Sequence, residues 1–494
     1  MIPLLGAAFL VAGFVAVFRA LGLAETGRQS VAEARQSVSV VRNPALSDDE
    51  KEKALQQSAK KLFRSFFTLA LGGGVALFAP LLVVWIADAF GWISLDAVLD
   101  VSFSPVFLAV SGLAACVAMF WRPWRRGTEA TEGYTRLDRL LHRLAFHTTT
   151  AQLGVADVED RLFAKTLAEC SIARPVFVTA LPRAGTTLLL ECLARMPEFA
   201  AHCYRDMPFV LTPMLWGRFC ESFRKGGELR ERAHGDGMRI DFDSPEALEE
   251  VAWMAFWRKR YAAKRISLWS DAVDEEFADF FTSHMRKVIA LRRPLCPGGV
   301  RYVSKNNLNI ARLALLRQMF PDATLVVPFR RPLEHAASLL HQHRNFLEIH
   351  AKDRFAVEYM RAIGHFDFGA NLKPVDFGGW LDACDHEPTT LAFWLSYWNA
   401  AYRSLMAEPH GAVFVSYESL CAEPMRELHA LASIIDCRDA GKLMENARNI
   451  RPVRAREIDR SGTPSALIDE AESLHEQLLD ATRGKADQSV SVLV

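Results

Sequence analysis

The stretch Pro175–Leu190 reads PVFVTALPRAGTTLLL. Val176, Phe177, Val178 and Thr179 form a β-branched and aromatic run that predicts a short buried strand. A Pro/Gly turn follows, then two threonines and a leucine-rich segment that reads as a helix. Strand, tight turn and helix start make an anion cradle. The first N–H groups of a helix lack intrahelical acceptors, and the helix dipole favours negative charge beside them. Gly185 lets the backbone approach closely, and Thr186 and Thr187 add hydroxyl donors. The pattern predicts a phosphorylated cofactor.

The loop departs from the nucleoside-triphosphatase pattern G-x-x-x-x-G-K-[ST], which places a lysine directly before the hydroxyl residue. Here Gly185 runs straight into Thr186, and the nearest cation is Arg183, on the other side of the glycine. The segment PRAGTTLL resembles the 5′-phosphosulfate loop of sulfotransferases that use 3′-phosphoadenosine 5′-phosphosulfate (PAPS). The tyrosylprotein sulfotransferases and a broad set of bacterial relatives carry a similar P-R-[SA]-G-T-T-L segment. Taken alone, the stretch also suits a hydrophobic strand with an ordinary loop.

A second segment strengthens the resemblance. Pro321–Asn345 reads PDATLVVPFRRPLEHAASLLHQHRN. Thr324–Phe329 is a β-rich run, Arg330 stands at its carboxyl end, Pro332 opens a helical segment, and Ser338 comes eight residues after Arg330. In sulfotransferases an Arg and a Ser so placed bind the 3′-phosphate, and a guanidinium fork with a neutral hydroxyl suits phosphate oxygens. The family often carries Asp after the Arg, where this chain has Arg331. Two weaker anchors agree. Tyr302–Asn306, YVSKN, reads as a strand end before a helix over Ile310–Phe320, and Val413–Pro424, VFVSYESLCAEP, resembles a late family segment in which Tyr417 and Glu418 are structural.

The resemblance implies a sulfotransferase fold and a set of roles. Arg183, Ala184, Gly185, Thr186, Thr187 and Leu188 hold the 5′-phosphosulfate; Arg330 and Ser338 hold the 3′-phosphate. Lys305 matches a lysine at the transferring group, and Arg183 lies beside it. The donor is PAPS, the product is adenosine 3′,5′-bisphosphate, and no metal is required. The family's basic glutamate has no counterpart in Ala201–Pro208, AHCYRDMP. Asp206 is the general-base candidate, with His202 and His341 behind it; the alternative is that Asp206 pairs with Arg205 as a structural salt bridge.

The first hundred and twenty residues are of another kind. Apolar runs over 2–22, 66–87 and 103–121 approach the length needed to cross a bilayer, about 17–25 residues. The first is short unless it continues past Arg19, and buried helices of a soluble protein are the alternative for all three. Between the first two runs lie Arg28, Arg35, Arg42, Lys51, Lys53, Lys60 and Lys61. Asp88, Asp96 and Asp100 lie between the second and third, and Arg122, Arg125 and Arg126 come after the third. By the positive-inside rule this predicts a multi-pass protein of a cytoplasmic (inner) membrane, with an outer N-terminus and the catalytic domain in the cytoplasm.

The predicted organisation is a membrane module (1–126), an amphipathic helical connector (127–172), a sulfotransferase domain (173–460) and a polar tail (461–494), flexible or lightly docked. In the connector, leucines at 137, 140, 141 and 144 recur at helical spacing among arginines, which suits either a lipid-facing helix or one packed on the domain. Strands at Val176–Ala180, Tyr302–Ser304, Thr324–Phe329 and Ala412–Ser416 alternate with helical patterns. The fold class is therefore α/β, a P-loop-like parallel sheet covered by helices on both faces, preceded by an all-α transmembrane region. Ligands of such sheets lie beyond the strand carboxyl ends, where the loop, Lys305 and Arg330 all fall.

Lys plus Arg equal Asp plus Glu, 58 each, so no general attraction to nucleic acid is implied. Nine cysteines show neither C-x-x-C pairs nor zinc spacing, and His335, His341 and His343 lack a companion ligand set. The expected partners are the lipid bilayer and a hydroxylated acceptor near it, a lipid, glycolipid or saccharide, with a homodimer left open. The competing readings are a nucleotide-dependent kinase, disfavoured by the missing lysine, and a non-catalytic membrane scaffold.

Overall fold

A computed structural model describes residues 2–23, 26, 48–104, 107, 111, 136–221, 230–231, 239–240, 243–270, 272–294, 299–453 and 457–490. The chain divides into two compact units, Met1–Ala130 and Thr131–Val494.

The described part of the first unit is helical: α1 (Ile2–Ala20), α2 (Asp48–Ala89) and α3 (Leu95–Ser102). Ala7, Val84 and Val98 form a small buried cluster. Close approach depends on a missing side chain on α1: a Cβ on Gly6 would come within 2.6 Å of Val98. The windows Pro3–Ala20 and Phe67–Ala89 are long and apolar enough to cross a membrane, and less than a fifth of each is buried. They coincide with the first two predicted spans; the third, 103–121, lies almost wholly outside the described residues.

The second unit is built on a five-stranded sheet in the order β2-β3-β1-β4-β5. Its strands are β1 (Val176–Val178), β2 (Phe199–Ala200), β3 (Arg301–Lys305), β4 (Thr324–Phe329) and β5 (Val413–Ser416), and every pairing is parallel. Four strands lie where the sequence predicts them. The edge strand β2 is two residues long, too short to leave a periodic signal.

Alternation along the strands divides the core. Val176, Val178, Val303, Val326, Val413 and Val415 face one way, against leucines of α5 (Thr186–Ala194) and of the helix Pro424–Ile434. Phe177, Tyr302, Leu325, Val327 and Phe329 face the other way. There they join aromatic residues of α6 (Glu250–Phe256), α7 (Glu275–Arg292) and α11 (Leu391–Ala407). Parallel strands buried on both faces explain why the sequence shows continuous apolar runs.

The connector packs on this unit. The helix α4 (Arg136–His147) sets His142 5.3 Å from the Tyr359 ring and Arg139 5.0 Å over the Phe355 ring, both on α10 (Arg354–Ala362). Of the two connector readings, the packed helix is the one seen. The tail expectation is corrected more sharply. Ser465–Val490 is a helix, α14, whose Ala471, Leu474 and Leu478 are buried in the main core. Its apolar positions recur at helical spacing inside a polar, acidic composition, and tertiary burial decides the outcome.

Candidate functional site

The strand β1 ends at Val178, level with Lys305 on β3 and Val326 on β4. The chain then turns through Pro182–Gly185 into α5. Two residues of the turn take left-handed backbone, Arg183 at φ 70 and Gly185 at φ 99. A non-glycine residue there carries strain of the kind found at ligand clamps. Gly185 has a second constraint: a Cβ would lie 2.5 Å from the Tyr417 ring. The turn is pinned from outside. His335, on α9 (Pro332–Lys352), bonds through Nε2 to the Pro182 carbonyl at 2.8 Å. Burial first, then the Arg330 charge, pushes its pKa down to about 3, so the ring is neutral and Nε2–H donates. Arg330 Nη1 donates to the Arg183 carbonyl at 3.1 Å, and its guanidinium lies 4.7 Å over the Tyr417 ring.

These groups open onto a cleft of about 240 Å³. Arg183, Gly185, Thr186, Thr187 and Leu188 line it from the turn and α5, Lys305 and Asn307 from the end of β3, and Arg330 from the end of β4. Three cationic side chains, two hydroxyls and a helix start therefore converge on one space beyond the ends of three adjacent strands. Lys305 is almost wholly buried. Tyr417, which the sequence marks as structural, forms part of the wall.

Not every sequence-predicted residue comes to this space. Ala184 is fully buried behind the turn. Ser338 is half-buried on α9 and does not line the cleft. Asp206 does not either; it is buried within the protein, and the base assignment needs correction. Its carboxylate pairs with Arg292 at the end of α7, accepts the Cys203 N–H at 3.1 Å and meets His202 Nδ1 at 3.0 Å. Although burial opposes ionisation, Arg292 and His202 hold its pKa below the usual carboxylate range. A carboxylate so stabilised is a poor proton acceptor. The alternative partner is corrected as well, since Arg205 pairs with Asp243. His202 continues inward to His284, with Nε2 atoms 3.1 Å apart, and His341 is exposed on α9.

Asp367, in a loop between α10 and α11, lines the cleft instead. Asn307 Nδ2 donates to its Oδ2 at 3.1 Å, while Asn307 Oδ1 accepts from Thr186 Oγ1 at 3.5 Å. One amide thus ties the carboxylate to the anion loop. Burial, opposed by the Lys305 charge, pushes the Asp367 pKa up to about 6. Sequence reasoning missed it because no motif surrounds it; HFDFG carries no local signature beyond a glycine turn.

The loop, Lys305, Arg330 and Asp367 all fall within residues 175–367, the stretch that matches the model of the Sulfotransferase family. No curated protein matches the chain significantly. Among solved structures, the chain is similar to sulfotransferase STF9 from Mycobacterium avium at 15% identity, with 71% of this chain and 87% of that chain covered and a TM-score of 0.40. It is also similar to sulfotransferase STF1 from Mycobacterium tuberculosis H37Rv at 15% identity, with 69% and 87% covered and a TM-score of 0.35.

Proposed function

We propose that the second unit transfers a sulfuryl group from PAPS to the hydroxyl of an acceptor. The observation that carries this reading is that Arg183, Thr186, Thr187, Lys305 and Arg330, drawn from three separate segments, share one cleft. The Sulfotransferase family match over the same residues supports it. The donor set fits the nucleotide: amides and hydroxyls at a helix start for the 5′-phosphosulfate, and a guanidinium at the next strand end for the 3′-phosphate.

Sulfuryl transfer is an in-line displacement, so the protein acts mainly by holding the partners and by fixed charge. The turn amides and the Thr186 and Thr187 hydroxyls hold the sulfuryl-bearing end. Lys305 neutralises charge growing on the leaving phosphate oxygen. Arg330 fixes the register of the nucleotide through its guanidinium. Arg183 adds positive charge at the mouth. The second unit works at the inner face of a cytoplasmic membrane, and the two long apolar helices of the first unit support anchoring there. The acceptor is a lipid, glycolipid or saccharide hydroxyl.

The test is direct. Calorimetric titration with adenosine 3′,5′-bisphosphate should show saturable one-site binding. Membranes containing the protein, given PAPS labelled in its sulfuryl group, should pass label to a lipid or glycan fraction. No binding, or transfer of label from γ-labelled ATP instead, would sink the reading.

A further inference from the structure

A carboxylate in a phosphate-binding cleft is a cost to anion binding, so its presence calls for a use. Asp367 is held with care. It lies between two glycines with left-handed backbone, Gly364 at φ 81 and Gly369 at φ 66. A Cβ on Gly364 would collide with the Glu250 side chain, so the loop rests directly on α6. On the other side, the Gly369 N–H donates to His343 Nδ1 at 3.1 Å and the Ala370 N–H to His350 Nδ1 at 3.0 Å. Both imidazoles therefore act as neutral acceptors, in keeping with pKa values that burial pushes down, to about 4 for His343. Beneath the loop, Glu250 is locked to Arg312, Tyr261 and Asn306, and Asn306 precedes the amide that grips Asp367.

We propose that Asp367 is the catalytic base, taking the proton of the acceptor hydroxyl as that oxygen attacks the sulfuryl group held by the Thr186 loop and Lys305. The assignment rests on the sulfuryl-transfer reading. The acceptor oxygen forms the new S–O bond, and the bond from sulfur to the 5′-phosphate oxygen breaks. Its electron pair leaves with adenosine 3′,5′-bisphosphate beside Lys305, and the proton passes to the Asp367 carboxylate and then to solvent. Asn307 couples the two halves, since it bonds both the loop hydroxyl and the base.

Burial, the largest influence, raises the basicity of Asp367, and the charges and the Asn307 amide around it adjust that. Lys305 from β3 lowers its pKa and Glu250 from α6 raises it, Tyr397 from α11 faces it as a neutral phenol, and His365 shares the cleft. The balance, a pKa of about 6, leaves the group ionised at neutral pH yet more basic than an ordinary aspartate.

The experiment uses the full chain in detergent, PAPS labelled in the sulfuryl group, and two acceptors: a membrane lipid extract, and water, whose attack releases labelled sulfate. Asp367→Asn should lower turnover by about 10²–10⁴-fold, the usual worth of a positioned base. Its affinity for adenosine 3′,5′-bisphosphate should equal or exceed that of the unaltered protein, because a negative charge has been removed. The rate of the unaltered protein should fall as pH drops through about 6. Asp367→Glu, which keeps the carboxylate, should recover part of the rate with a displaced acid limb. Turnover of Asp367→Asn within a few-fold of normal, or a rate independent of pH from 5 to 7, would overturn the assignment while leaving sulfuryl transfer intact. Failure of the unaltered protein to bind adenosine 3′,5′-bisphosphate would overturn both.

Discussion

Arg330 touches the Arg183 carbonyl, the Tyr417 ring face and, at 3.8 Å, the Glu418 carboxylate. Its fork is thus pre-oriented before any ligand arrives. Arg330→Ala should weaken adenosine 3′,5′-bisphosphate binding by about 1.5–3 kcal/mol, the range for hydrogen bonds to charged groups, read by calorimetry. Ser338→Ala should cost clearly less, because Ser338 does not line the cleft. Gly185→Ala should do double damage. The left-handed backbone alone costs about 1–2 kcal/mol for a residue with a Cβ, and the new methyl would strike Tyr417. We expect a lower unfolding midpoint together with lost nucleotide binding. The residues whose chemistry is local, Gly185 to Thr187 and Arg330, could be read from short spacings in the sequence. Asp206 and Asp367 could not be ranked that way. What separates them is Arg292, 86 positions beyond Asp206, which stabilises its charge, and the burial that destabilises the charge of Asp367.

At the scale of elements, the cleft exists because three adjacent strands end on the same side of the sheet, β1 and β3 level and β4 three residues further on, and two helices restrain the loops beyond them. α9 contributes His335 to the anion turn and His343 and His350 to the Asp367 loop, so one helix clamps both sides of the cleft. α6 supports the same loop through Glu250, whose partner Arg312 is fully buried and stacks 4.1 Å over the Trp253 ring. Removing one member of such a pair leaves a buried charge without its counter-charge. Glu250→Gln should therefore destabilise the fold by about 3–5 kcal/mol in urea unfolding. The strands were legible because short buried runs of three to six residues, rich in β-branched and aromatic side chains, stand out between turns. Helix α14 was not, since its charged composition outweighs a few spaced leucines until a core exists to receive them. Leu478→Ala on that helix should cost about 2–5 kcal/mol, a core-sized loss from a segment that composition alone marks as a tail.

Over the whole molecule, the buried titratable groups predict how stability depends on pH. Desolvation depresses the pKa of His284 well below 6.5, that of His335 to about 3 and that of His343 to about 4. Between those values and 6.5 the unfolded chain binds protons that the folded chain refuses. The stability these groups contribute is present above about pH 6.5 and is lost as pH falls toward their folded values. Asp367 works the other way, because a raised pKa lets the folded chain keep a proton the unfolded chain has released. Burial also raises Glu159 and Glu418 and lowers His350 and His475, so among the described residues five depressed histidines stand against three raised carboxylates, and the acid side is the weaker. Each uncompensated proton is worth about 1.4 kcal/mol per pH unit in full, less where groups are partly solvated. The urea midpoint of the full chain in detergent, monitored by tryptophan fluorescence, should therefore drop from pH 7 to pH 5. In His335→Gln, whose amide can still donate to the Pro182 carbonyl but cannot titrate, the same series should have a shallower slope. A variant slope as steep as that of the unaltered chain would mean that the His335 ring is protonated in the folded state, which the Pro182 contact and the neighbouring Arg330 charge both oppose.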